Sequence, residues 1–125
     1  MMKNRTIILL ANNGVLSATA HDLDAANAYK LLGFKRAVKK QLDEIIEREK
    51  EIKDDPKADE LREELHNEEV KLDCKTMPYV AFHALAKENR ALPVFGQDGR
   101  QIGTSDPFSA FENELENVLW VAPEE

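Results

Sequence analysis

Between residues 24 and 53, apolar side chains recur at Leu31, Phe34, Val38, Leu42, Ile45 and Ile52, and no proline interrupts them. Residues at these steps share one face of a helix, so the pattern predicts a single long helix from Asp24 to Lys53. Leu31, Val38, Ile45 and Ile52 fall seven apart, with Phe34 and Leu42 beside the row; the opposite face is Lys, Arg, Glu and Gln. Such a seam needs a partner. Asp54-Asp55-Pro56 ends the helix, and Ala58, Leu61, Leu65 and Leu72 then recur at helical steps, which predicts an antiparallel helical hairpin. Asp22 or Asp24 can cap the first arm, and Asp55 the second, with Pro56 in its first turn and Asp59 and Glu60 where the helix dipole favours acid. Gly33 inside the first arm is expected to mark the close approach of another backbone.

The segments on either side are shorter. Thr6-Ile7-Ile8-Leu9-Leu10-Ala11, Asn12-Asn13-Gly14 and Val15-Leu16 read as strand, tight turn and strand, because Asn-Gly supports positive φ angles. The rival is a short amphipathic helix using Ile7, Ile8, Leu10 and Ala11; local propensity favours the hairpin. After His66, Val70-Lys71-Leu72-Asp73-Cys74 alternates as a short half-buried strand would, so the second arm ends between Asn67 and Leu72. Thr76 is the expected cap of a third helix with Pro78 in its first turn, an inner face of Val80 or Ala81, Ala84 and Leu85, and a stop near Asn89. Leu92 to Ile102, turning at Asp98-Gly99, is the clearest β-hairpin pattern. A last helix is expected from Ser105-Asp106-Pro107, with Phe108, Phe111, Leu115, Val118 and Leu119 as its stripe and Trp120 closing it. The acidic tail Pro123-Glu124-Glu125 is expected to fray.

Composition narrows what such a chain can do. Its 125 residues suit one domain, residues 1–125, with a mostly aliphatic core, since only 6% are aromatic. The net charge of −7 opposes a general role on nucleic acid or an anionic membrane. Cys74 is the only cysteine, which excludes an internal disulfide and points to a reducing compartment; with no signal-peptide pattern and no membrane-span run, the cytoplasm is expected.

Candidate chemistry is sparse. Glu63-x-x-His66 has half the spacing of a carboxylate-bridged di-metal bundle, but no second copy exists, so His66 is expected at the rim of the buried stripe. Capping explains the aspartates beside His21, and His83 on a short helix is expected to pack. Ser17, Thr19, Ser105 and Ser109 lack triad spacing, Gly96, Gly99 and Gly103 suit a ribbon rather than a phosphate loop, and Lys75 beside Cys74 is weak activation. No catalytic residue, metal site or cofactor is therefore expected. Lys35, Arg36, Lys39 and Lys40 form the one concentrated basic patch, a possible anion site; helical pairing of Lys39 with Asp43 and Lys40 with Glu44 is the plainer reading.

The order of parts also carries a resemblance. Met2-Lys3-Asn4, an aliphatic stretch, Leu23 followed by Tyr29-Lys30-Leu31-Leu32 and Phe34-Lys35-Arg36, a charged hairpin, and Leu65-His66-Asn67-Glu68-Glu69-Val70-Lys71-Leu72 resemble small helical proteins encoded by phages and prophages, over residues 2 to 80. Asn12-Asn13-Gly14 and the Gln97-Asp98-Gly99 ribbon depart from that layout. The resemblance implies a mobile-element origin and a non-enzymatic role, and it supplies no active-site residues. The expected architecture is mainly α: a long antiparallel hairpin, two shorter helices and a small β-hairpin, the alternative being α+β with an N-terminal β-hairpin. Val38, Leu42, Ile45, Ile46 and Ile52 are the expected self-association surface, because two short helices would not reach the far end of the hairpin. The expected role is a structural or assembly-type interaction protein that self-associates and binds another phage or host protein; the alternative is a small nucleic-acid-linked regulator using the basic patch.

Overall fold

Asp24 starts the long helix as its spacing requires, its carboxylate accepting a hydrogen bond from the Asn27 amide at 2.9 Å. The computed structural model describes residues 1–122; the acidic tail lies outside the described residues. In chain order the elements are β1 (Met2–Lys3), α1 (Asn4–Asn12), a 3-10 turn (Val15–Ser17), α2 (Ala25–Ile52), α3 (Ala58–Asn67), β2 (Glu69–Val70), β3 (Met77–Pro78), α4 (Tyr79–Glu88), β4 (Leu92–Phe95), β5 (Gln101–Ser105), α5 (Pro107–Ala110), α6 (Glu112–Leu115) and β6 (Trp120–Val121). The molecule is largely helical, organised on one long helix, with small strands in three two-stranded sheets.

The N-terminal segment is a helix, not the strand pair expected from Asn-Gly. Ile7 and Leu10, one helical turn apart, are both fully buried, and a helix places them together against α2. Asn13 and Gly14 instead end the helix. Gly14 sits at φ +87°, and a β-carbon there would lie 2.9 Å from the Pro93 carbonyl oxygen, so only glycine fits.

With α1 present, the seam of α2 has two partners laid end to end. The 3-10 turn and α1 lie along its first half, where the Lys35 ammonium donates to the Ala18 carbonyl at 2.8 Å. α3 lies antiparallel along the second half, held by His66–Glu49 at 2.7 Å and Arg48–Glu68 at 2.9 Å. Asn4 joins the two at the start of α1. Its side-chain amide donates to Leu65 O, its side-chain oxygen accepts from Gln41, and its backbone N–H donates to Glu68 O, so its complete burial leaves none of these groups unpaired. Antiparallel pairing of Met2 with Val70 closes the junction.

Several expected boundaries shift for identifiable reasons. Asp55 accepts from the Lys57 amide in a tight turn, so α3 begins at Ala58 without a side-chain cap and Pro56 stays in the connection. The strand expected over Val70–Cys74 is Glu69–Val70, fixed by its pairing with β1. Thr76 does not cap α4, because Met77–Pro78 is drawn into a parallel bridge with Trp120–Val121. The inner face of α4 is Ala81, Phe82, Leu85 and Ala86, while Val80 is 80% exposed.

The C-terminal apolar stripe buries as expected but not as one helix. Asp106 caps one turn, α5; the chain breaks at Phe111, makes a second turn, α6, and reverses where Asn117 takes φ 63°. That reversal carries Trp120 into β6, where its ring lies 5.8 Å from Phe82 and 4.9 Å from Tyr79. Its indole N–H donates to Glu112 O, and the Tyr79 hydroxyl donates to the Glu112 carboxylate at 2.8 Å. The ribbon expected over Leu92–Ile102 forms and runs on to Ser105, where a helix start was expected, with a register irregularity between Val94 and Phe95 and a turn in which the Gly99 amide donates to Gly96 O.

The expected self-association surface is corrected in part. Val38 and Ile45 are buried within their own chain, and Ile52 and Leu42 are half-buried; Ile46 alone among the five is exposed, at 42%. The first half of the seam gains α1 as an additional cover, and α3 covers Ile45 and Ile52 in the second half. Gly33 is the second correction: nothing lies within 4 Å of where its β-carbon would stand, so no backbone approaches it.

Candidate interaction surface

The four basic residues of α2 divide by what they touch. Lys35 is turned inward to the Ala18 carbonyl, and Lys39 pairs with Asp43 at 2.9 Å, four residues on. Arg36 and Lys40, also four residues apart, enter no salt bridge among the described residues; the expected Lys40–Glu44 pair does not form. Lys35, Arg36 and Lys39 surround a hollow of about 320 Å³ that Leu16 of the 3-10 turn also lines.

Tyr29 and Leu32, which composition did not single out, belong to the same surface. Residues 29, 32, 36 and 40 fall on one stripe of an α-helix, opposite the buried Leu31, Phe34 and Val38. Tyr29 is 69% and Leu32 39% exposed, and the open space at Gly33 leaves that stretch without a raised side chain. The signal was available in the sequence as a second, outward apolar pair, but the strength of the inward seam masked it.

α3 presents the opposite charge. Asp59, Glu60, Glu63, Glu64, Asn67 and Glu68 line an open groove of about 920 Å³. Glu63 pairs with Arg5 at 2.8 Å, and Glu68 with Arg48; each partner's hydrogen bond holds the carboxyl below its usual range, and Glu68 raises Arg48 in return. Asp59 pairs with Arg62. Glu60 and Glu64, exposed and four apart, enter no salt bridge among the described residues.

The remaining candidates are brought together with structural partners. Glu63 and His66 do not converge, since His66 bonds Glu49. His21 and Asp22 offer their backbone amides to Glu88, whose carboxylate also accepts from the Thr19 hydroxyl. Burial alone raises the Glu88 pKa, but these hydrogen bonds outweigh it and the net direction is down. Burial, with Asp73 nearby, pushes the Cys74 thiol up, away from reactivity. Ser105 donates to Asn13 O, and His83 lies beside the Tyr79 ring. Among the described residues no group of three or more His, Cys, Asp and Glu is placed to hold a metal ion, and no helix is long and apolar enough to cross a membrane. No protein-family model, curated protein or solved structure matches the chain.

Proposed function

We propose that the chain is a protein-interaction module of the assembly type, docking an acidic protein surface on the outward stripe of α2. One observation carries this reading: exposed Tyr29 and Leu32 run directly into Arg36 and Lys40, which enter no salt bridge among the described residues, on a 28-residue helix whose opposite face is locked in the core. Tyr and Arg dominate the energetic centres of protein interfaces, and a helix fixed along its length loses little entropy when it binds. The resemblance to phage-encoded helical proteins supports placing that interaction in the assembly of a mobile element, and no residue is assigned a catalytic step.

The test replaces Tyr29 with the photo-crosslinking residue p-benzoylphenylalanine in the full chain, expressed in cells. The expected result is a protein adduct that is lost when Arg36→Glu is added. Absence of any adduct, or an adduct indifferent to the charge reversal, overturns the reading.

One observation favours a second reading. Tyr29 stands two turns from Arg36 on the same stripe, supplying the aromatic that a single-strand binder uses for base stacking. The net charge of −7 and the engagement of Lys35 and Lys39 weigh against it. A gel shift at low salt that is lost on changing Lys35, Arg36, Lys39 and Lys40 to alanine would establish it, and no shift at low salt removes it.

A further inference from the structure

We infer that the acidic partner is held as an extended peptide segment, laid along the free edge of β4 at Phe95, with its carboxylates reaching Arg36 and Lys39 past Leu16. The inference rests on the reading of α2 as a docking stripe for an acidic protein surface, and it names the form in which that surface is presented.

The free edge follows from the sequence of β4. Pro93 has no N–H, so the ladder to β5 bonds through its neighbours Leu92 and Val94, and the Pro93 carbonyl faces the other way. Gly14 fixes that direction, since a β-carbon there would lie 2.9 Å from the Pro93 oxygen. Further along, the Gly96 amide donates back to Arg100 O, so the N–H and C=O of Phe95 fall on the same outer edge as the Pro93 carbonyl. The chain's own turn covers this edge at Pro93. Between the turn and Phe95 lies a hollow of about 340 Å³, which Gly14, Leu16, Pro93 and Phe95 help to line. A strand edge offers donors and acceptors that a further strand completes, and pockets beside it take alternate side chains. Phe95 is 58% exposed and Leu16 half-buried, so the hollow has apolar surface for such a side chain.

The second hollow sets the charge of the occupant. Leu16 also lines the hollow of Lys35, Arg36 and Lys39, so the apolar and cationic hollows meet at one side chain. A segment anchored beside Phe95 therefore reaches the cations within a few residues, at roughly 3.3 Å per residue. Lys35 is already turned to the Ala18 carbonyl, which leaves the Arg36 fork and the exposed Lys39 to meet Asp or Glu side chains. An oligonucleotide has no main-chain amides to set against the Phe95 edge. Edge and cations together select an acidic peptide that carries an apolar anchor.

The test selects short random peptides, displayed on phage, against the purified full chain, and measures the strongest binder by fluorescence polarisation. Enriched peptides are expected to combine an aliphatic or aromatic residue with acidic residues a few positions away. They should bind at least about tenfold more weakly to Phe95→Ala and to Arg36→Glu/Lys39→Glu. N-methylation of the peptide amide that faces β4 should abolish binding, while methylation of the next amide leaves it intact. All three substituted side chains are exposed, and circular dichroism checks that each variant keeps its helices. No enrichment over an unrelated protein, enriched peptides without acidic residues, or binding indifferent to Phe95→Ala overturns the inference. The crosslink from position 29 keeps the two readings apart. An adduct lost in both Arg36→Glu and Phe95→Ala supports the peptide strand; one lost only in Arg36→Glu sustains the docking stripe and removes the strand; no adduct of any kind removes both.

Discussion

The two halves of α2 share a sequence pattern and differ in what covers it. Along residues 31–41 the seam meets α1, the 3-10 turn and the body of the core, and Leu31, Phe34 and Val38 are sealed by apolar contact from several elements. Along residues 45–52 it meets α3, where Ile45 and Leu65 are fully buried and Ile52 packs against the core, and the contacts Arg48 to Glu68 and His66 to Glu49 add polar fixings. The same heptad row is therefore buried at both ends, under several elements at one and under a single arm reinforced by polar clasps at the other. A periodic seam specifies that something must cover it, while the number of covering elements decides how much of its stability is apolar.

The largest predicted effect breaks the closed half. Phe34→Ala removes a fully buried ring and should cost about 3–5 kcal/mol of unfolding free energy, read by chemical denaturation. A loss below about 1 kcal/mol would mean that the first half is no better packed than the second. Next comes the join. Asn4→Ala strands the Leu65 carbonyl and the Gln41 amide and should cost about 1–3 kcal/mol, with hydrogen-exchange protection falling in α3 before α2. Equal loss of protection throughout would show that the two covers are not separable.

Gly33→Ala sharpens the comparison in the other direction. The position is mid-helix and opens onto free space, so alanine should stabilise the chain by about 0.5–1 kcal/mol, as a rise in denaturation midpoint. Destabilisation would restore the close approach expected from the sequence.

The smallest effects belong to the clasp. Arg48→Ala should cost less than about 1 kcal/mol, because both partners of its ion pair are well exposed. Glu63 and Glu68 have folded-state pKa values below their unfolded ones, so their contribution is present above the ordinary carboxylate range and is lost as pH falls through the depressed values. Acidification should thus raise amide exchange in α3 ahead of residues 31–41. Exchange in α3 that does not change between neutral and acid pH would show that the clasp adds nothing.

What the sequence conveyed was proportional to the length of each periodic run. α2 was readable from Asp24 to its last turn because six apolar positions, a capping aspartate and the Asp54-Asp55-Pro56 break all agree. α1 was misread because nine residues carry little periodicity and Asn-Gly serves a hairpin turn and a helix stop equally well; only the burial of Ile7 and Leu10 decides between them. The Phe108–Trp120 stripe was readable as buried but not as broken, since the reversal at Asn117 answers to aromatic partners some forty residues earlier in the chain. The basic patch showed in composition. Which of its four cations enter contacts among the described residues depends on Ala18 and Asp43, and therefore on the fold.

The bridge between Met77–Pro78 and Trp120–Val121 bears on how the chain matures during synthesis. By the time residue 76 leaves the ribosome, α1, α2 and α3 already have one another, whereas Tyr79 and Phe82 must wait some forty residues for the indole that covers them. A nascent chain stalled in that interval carries an unroofed aromatic corner, the kind of surface on which chaperones act.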